Sequence, residues 1–89
     1  MSAYQVNKLC YRVTHEPALL ERMKSQPAEA LKEFDLTPEE RQALLAGEVG
    51  RLYQLGAHPY LLGHLAPEGL FGLNRQLYQQ RMKALLPKD

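Results

Sequence analysis

Leu36-Thr37-Pro38-Glu39-Glu40-Arg41-Gln42-Ala43-Leu44-Leu45-Ala46-Gly47 is the stretch whose reading decides the fold. Thr37 is a helix cap by type, because its hydroxyl can accept from an orphan amide at the helix start. Pro38 suits the first helical position, where no amide hydrogen is needed. Glu40, three residues after Thr37, completes the pattern of a capping box. Gly47 supplies a residue that takes positive φ without strain, which predicts the helix end. A helix of about nine residues, punctuated at both ends, is therefore legible from side-chain chemistry alone.

Working outward, the same punctuation recurs. Upstream, Val6, Leu9, Cys10 and Val13 repeat at helical spacing, predicting an amphipathic helix from Ala3 to about Val13. Thr14 is the expected cap of a second helix, with Glu16 and Pro17 in its first turn and Leu19, Leu20 and Met23 facing inward. Ser25 is the expected cap of a third, running through Pro27 to Phe34 with Ala30 and Leu31 inward. In the helix already described, Leu44, Leu45 and the stem of Arg41 are the expected buried groups. A fifth helix, about Glu48 to Leu55, offers Val49, Leu52, Tyr53 and Leu55 and stops at Gly56. Pro59 opens a sixth with Tyr60, Leu61, Leu62 and Leu65. After the turn signal Pro67-Glu68-Gly69, a longer helix is expected from about Leu70 to Leu86, ended by Pro87, with Leu73, Leu77, Tyr78, Met82 and Leu85 as one stripe. No segment alternates apolar and polar residues long enough to suggest a strand. The expectation is an all-α, multihelical single domain over residues 1–89, with six to seven short helices and a longer C-terminal one.

Composition narrows the function. Eleven basic and ten acidic residues leave a formal charge of +1, which argues against a nucleic-acid binder, normally marked by a basic stripe. No apolar run approaches the ~20 residues that span a bilayer, and the N-terminus shows no signal-peptide core. No membrane association and a cytoplasmic location are expected. Cys10 is the single cysteine; among apolar periodic positions it reads as a small buried thiol.

Catalytic constellations are hard to find. His58 and His64 lie six residues apart, which on a continuous helix separates them by roughly 120°. His64 and Glu68 have helical spacing, but Pro67 falls between them, and His15 is remote in sequence. Neither a metal motif nor a nucleophile–base pair emerges, and the glycines match no phosphate loop. The residues from Tyr53 to Phe71 instead gather aromatics, histidines and glycines among leucines. Such residues anchor interfaces, although Tyr53, Tyr60 and Leu61 equally suit a small core.

The order of these motifs resembles a known family. Tyr4-x-x-Asn7, Glu16-x-x-Leu19-Leu20-Glu21-Arg22-Met23, Phe34-Asp35-Leu36-Thr37-Pro38-Glu39, Ala43-Leu44-Leu45-Ala46 and Gly56-Ala57-His58-Pro59-Tyr60-Leu61-Leu62 follow one another as in the LigA family, the small (alpha) subunit of protocatechuate 4,5-dioxygenase and related type II extradiol ring-cleavage enzymes. The similarity spans about Val6 to Phe71. It implies a non-catalytic helical partner that caps the active-site mouth of a large (beta) subunit, with Fe(II) and its ligands in that subunit and no cofactor in this chain. By position, the resemblance implies His58, Tyr60, His64 and Phe71 as substrate-proximal or interface residues. Where longer members have Gly-Asn before the aromatic helix, this chain has Ala57-His58-Pro59, which adds an imidazole. The alternative reading is a stand-alone helical interaction module, for instance a homodimer, which the apolar Leu70–Leu85 stripe favours; the sequence leaves open whether that stripe docks on its own core or on another chain.

Overall fold

The computed structural model describes residues 4–83, which form seven α-helices and one 3-10 turn, with no strand among them. The helices are α1 (Tyr4–His15), α2 (Pro17–Ser25), α3 (Pro27–Leu31), α4 (Pro38–Ala46), α5 (Val49–Gln54), α6 (Pro59–Leu62) and α7 (Arg75–Lys83), and the 3-10 turn covers Leu70–Gly72. The all-α expectation holds. Val6, Leu9, Cys10 and Val13 of α1 are buried at the centre, with Leu19, Met23, Leu31, Leu44, Leu52, Leu62, Leu65 and Leu70 closing around them. α1 packs on α2 and α6, α2 on α3, α4 on α5, and α5 on α7.

The α4 punctuation behaves as its chemistry requires. The Thr37 hydroxyl accepts from the Glu40 amide at 3.1 Å, and the Glu40 carboxylate accepts from the Thr37 amide at 2.9 Å. At the other end Gly47 adopts φ 68, and its amide bonds back into the last turn. A methyl group built on Gly47 would lie 2.7 Å from the Phe71 carbonyl oxygen and 2.9 Å from an Arg81 guanidinium nitrogen. Both conformation and space therefore demand glycine there.

Other boundaries differ from the sequence expectation for identifiable reasons. Thr14 is not a cap: α1 continues to His15, and the Thr14 hydroxyl donates to the Tyr11 carbonyl within the helix, leaving Glu16 at the start of α2 without a side-chain cap. Ser25 likewise donates to the Glu21 carbonyl one turn back, and Gln26 precedes α3. Both hydroxyls chose a local carbonyl over a neighbouring amide. α3 ends at Leu31 rather than Phe34, yet Phe34 stays buried, beneath the Arg12 guanidinium at 5.2 Å from its ring centre. Arg12 also grips Glu16 in two hydrogen bonds of 2.7 and 2.9 Å, and this pairing holds the Glu16 carboxyl below its usual range.

In α4 the core takes Ala43 and Leu44, while Leu45 is 40% exposed and Arg41 is exposed. Tyr53 is exposed on α5. The long helix expected from Leu70 begins only at Arg75. Phe71 at φ 55 and Gly72 at φ 74 break the path, and the Asn74 side chain accepts from the Leu77 amide at 2.8 Å to start α7. Leu73 is buried, and Leu77, Tyr78 and Met82 pack half-buried against the core, so this stripe docks on its own domain. Leu85, Leu86 and the Pro87 stop lie outside the described residues. Among the described residues no helix is long and apolar enough to cross a membrane.

Two substitutions test this account by urea unfolding. Thr37→Ala removes one half of the capping box and is expected to cost about 1 kcal/mol. Gly47→Ala adds left-handed strain to a steric clash and is expected to cost about 2–4 kcal/mol.

Candidate functional site

The candidate surface is built at the α6 corner. Gly56 at φ 109 releases the chain from α5, and the Ala57 amide bonds back to the Leu52 carbonyl at 3.0 Å. Ala57 is buried, which seats the following residue against α1. There the His58 amide donates to the Asn7 side-chain oxygen at 2.8 Å. His58 caps α6: its Nδ1 accepts from the Tyr60 amide at 3.1 Å. With Nδ1 accepting, the ring presents its N–H donor at Nε2. Pro59 occupies the first helical position, and Leu62 and Leu65 anchor the corner in the core.

Tyr60 projects from this base, 70% exposed. Its ring meets His58 edge-on at 6.4 Å and 90°, and His64 edge-on at 5.0 Å and 87°. The two imidazoles thus flank one phenol. The separation expected on a continuous helix does not apply, because His58 precedes a four-residue helix and His64 falls in the turns after it.

Phe71 is held by a different device. It adopts φ 55, ψ 32 between Gly69 at φ 70 and Gly72 at φ 74, and its ring lies half-buried against the core. A left-handed conformation costs a non-glycine residue roughly 1–2 kcal/mol, and glycine stands two positions before and one after. Among the described residues no ring pairing joins Phe71 to the His58–Tyr60–His64 row.

Two side chains that sequence reasoning placed only in the C-terminal stripe, or did not single out, bear on this surface. The Tyr78 hydroxyl donates to the Pro59 carbonyl at 3.0 Å, beneath α6. Arg81 Nη1 donates to the carbonyls of Ala46 and Gly47 at 3.1 and 2.6 Å. Asn7 is the third contributor missed; only its place in the Tyr4-x-x-Asn7 motif marked it. Burial raises the Tyr78 phenol above its ordinary 10.0, so it donates as a neutral hydroxyl.

His15 stands apart on α1, stacked on Tyr11 at 4.2 Å and bonded to the Tyr11 carbonyl. Among the described residues no three metal-ligating side chains converge. A groove of about 870 Å³ runs between the start of α1, the segment from Asp35 to Glu40, and Leu55. None of the four candidate residues lines it.

The fold is thus a small all-α domain, with His58, Tyr60 and His64 clustered at the α6 corner. The family model described as aromatic-ring-opening dioxygenase LigAB, LigA subunit, matches residues 6–85. The chain belongs to that family, that of the small subunit of an aromatic-ring-opening dioxygenase, and the family implies a larger partner subunit. Comparison with curated proteins and with solved structures gives no match.

Cys10 beneath this scaffold is sealed, and burial pushes its thiol from an ordinary 9.0 up to about 12. Its folded pKa is raised, so the associated stability is complete below pH 9.0 and declines as pH rises toward 12. The expected slope is about 1.4 kcal/mol per pH unit in that window. Unfolding of the wild type and Cys10→Ala across this range measures it: the stability difference between the two should shift in favour of the variant as pH rises.

Proposed function

We propose that this chain is the non-catalytic small subunit of a type II extradiol dioxygenase, and that its α6 corner and Phe71 turn form a lid over the substrate pocket of an iron-bearing large subunit. The observation that supports the reading is Tyr60, exposed between two imidazoles on a corner that His58 caps and that the His58 amide ties to Asn7. An exposed aromatic costs solubility unless a partner covers it, and aromatic rings are what binding centres favour. The same ring offers a π-face to an aromatic substrate.

Ferrous iron belongs, in this reading, to the large subunit, and no cofactor is assigned to this chain. The chain's own part is to exclude water and orient the ring. His58 presents its Nε2 hydrogen to an anionic or carbonyl oxygen, Tyr60 offers a face, and Phe71 fills apolar space at the pocket rim.

Co-expression with an iron-bearing large subunit tests the proposal through catechol cleavage. The chain is expected to co-purify with that subunit and to lower its KM. Tyr60→Ala and Phe71→Ala should each raise KM about five- to tenfold, the worth of one aromatic contact, without dissociating the pair. A large subunit that neither retains the chain nor changes rate in its presence overturns the reading.

A further inference from the structure

The two parts of the proposed lid come from separate turns, residues 58–64 and Phe71, and α7 touches the support of both. α6 is a single turn of four residues, too short to persist by its own hydrogen bonds. Its first carbonyl, Pro59, accepts twice: from the Gly63 amide at 3.0 Å and from the Tyr78 hydroxyl at 3.0 Å. Gly63 lies beside this bond: a methyl group there would stand 3.6 Å from the Tyr78 oxygen, ordinary van der Waals contact, and 3.3 Å from the Tyr60 carbonyl oxygen. On the other side, Arg81 donates to the carbonyls of Ala46 and Gly47 at the end of α4, where the helix dipole favours a cation; the Gly47 carbonyl also accepts from the Val49 amide at 3.0 Å. The Phe71 carbonyl rests against Gly47. α7 buries no residue fully, its Leu77, Tyr78 and Met82 packing half-buried against the core, and the directed contacts of Tyr78 and Arg81 add to that packing. Among the described residues Arg81 makes no ion pair, which leaves its charge to the two carbonyls.

We infer that α7 is a brace that holds the α6 corner and the Phe71 turn in one arrangement, with Tyr78 and Arg81 as its positioning residues. The functional part of this inference rests on the lid reading above; the mechanical part does not. Tyr78 fixes where α6 begins and so where Tyr60 points. Arg81 fixes the Gly47 platform on which the left-handed Phe71 backbone sits. Neither side chain needs to touch substrate.

Amide order parameters of the purified chain test the mechanical part, because lowered global stability leaves motion within the native state unchanged. In Tyr78→Phe the amides of residues 60–63 are expected to fall from the rigid value of about 0.85 toward about 0.6. In Arg81→Gln those of residues 70–73 should fall similarly, with α1 unchanged in both, and Arg81→Lys should restore them. Order parameters that hold at both places overturn the inference, as does an equal fall throughout the chain. In the assembled dioxygenase both variants are expected to raise KM about fivefold at unchanged kcat; a fall in kcat with KM held also overturns it. If the chain leaves the large subunit's activity untouched while the order parameters fall as described, the lid reading fails and the brace stands.

Discussion

The absence of a side chain at Gly47 is the constraint on which the upper half of the molecule depends. α4 must stop there, and a left-handed residue stops it. The same missing Cβ leaves room for the Phe71 carbonyl and the Arg81 guanidinium to close in together. Three segments distant in sequence therefore meet at one backbone position. A larger residue would push away the turn that carries Phe71 and the helix that steadies it. The lower half has a different origin: four apolar residues of α1 supply a buried stripe, and α2, α5 and α6 each place a leucine around it.

How much of this was readable from the chain depends on the range of the interaction. The α4 box was legible because Thr37, Pro38, Glu40 and Gly47 act within their own helix. Thr14 and Ser25 have the same cap chemistry, but each hydroxyl has a carbonyl within one turn and takes it, an outcome that type and spacing leave open. Periodicity named most of the core correctly, yet it preferred Leu45 to Ala43. Close approach of α4 to its neighbours favours the smaller residue, and that distance is tertiary. The break at Phe71 carried a partial signal in Gly69, Gly72 and the capping type of Asn74, which an apolar stripe at helical spacing outweighed.

The candidate surface was legible by composition and illegible by geometry. Tyr60, His58 and His64 share a short segment, so a local cluster was foreseeable. Their edge-on arrangement depends on α6 ending after one turn, and helix-wheel reasoning assumes that it continues. Asn7 reaches His58 across 51 residues, and Tyr78 reaches Pro59 across 19. No periodicity encodes such contacts, because each is a side chain meeting a backbone group whose position only the packed core sets.

In the proposed lid role, a surface that completes another protein's pocket has a requirement that a self-contained site lacks. Its reacting partners arrive on a different chain, so every error in its own shape adds to the error of docking. Flexible aromatics would lose rotamer entropy on closure, at about 0.5–1.5 kcal/mol per immobilised side chain. The α6 corner reduces that cost beforehand. His58 is fixed by its amide to α1 and by Nδ1 to its own helix, and Tyr60 is flanked on two edges. Phe71 accepts a strained backbone in a place where glycine would be relaxed, which keeps an aromatic ring at that turn. That is the physical reason to propose the functional surface there and not in the groove beside α4, where Thr37, Glu40 and Glu39 are already engaged in the capping box and the Arg51–Glu39 pair.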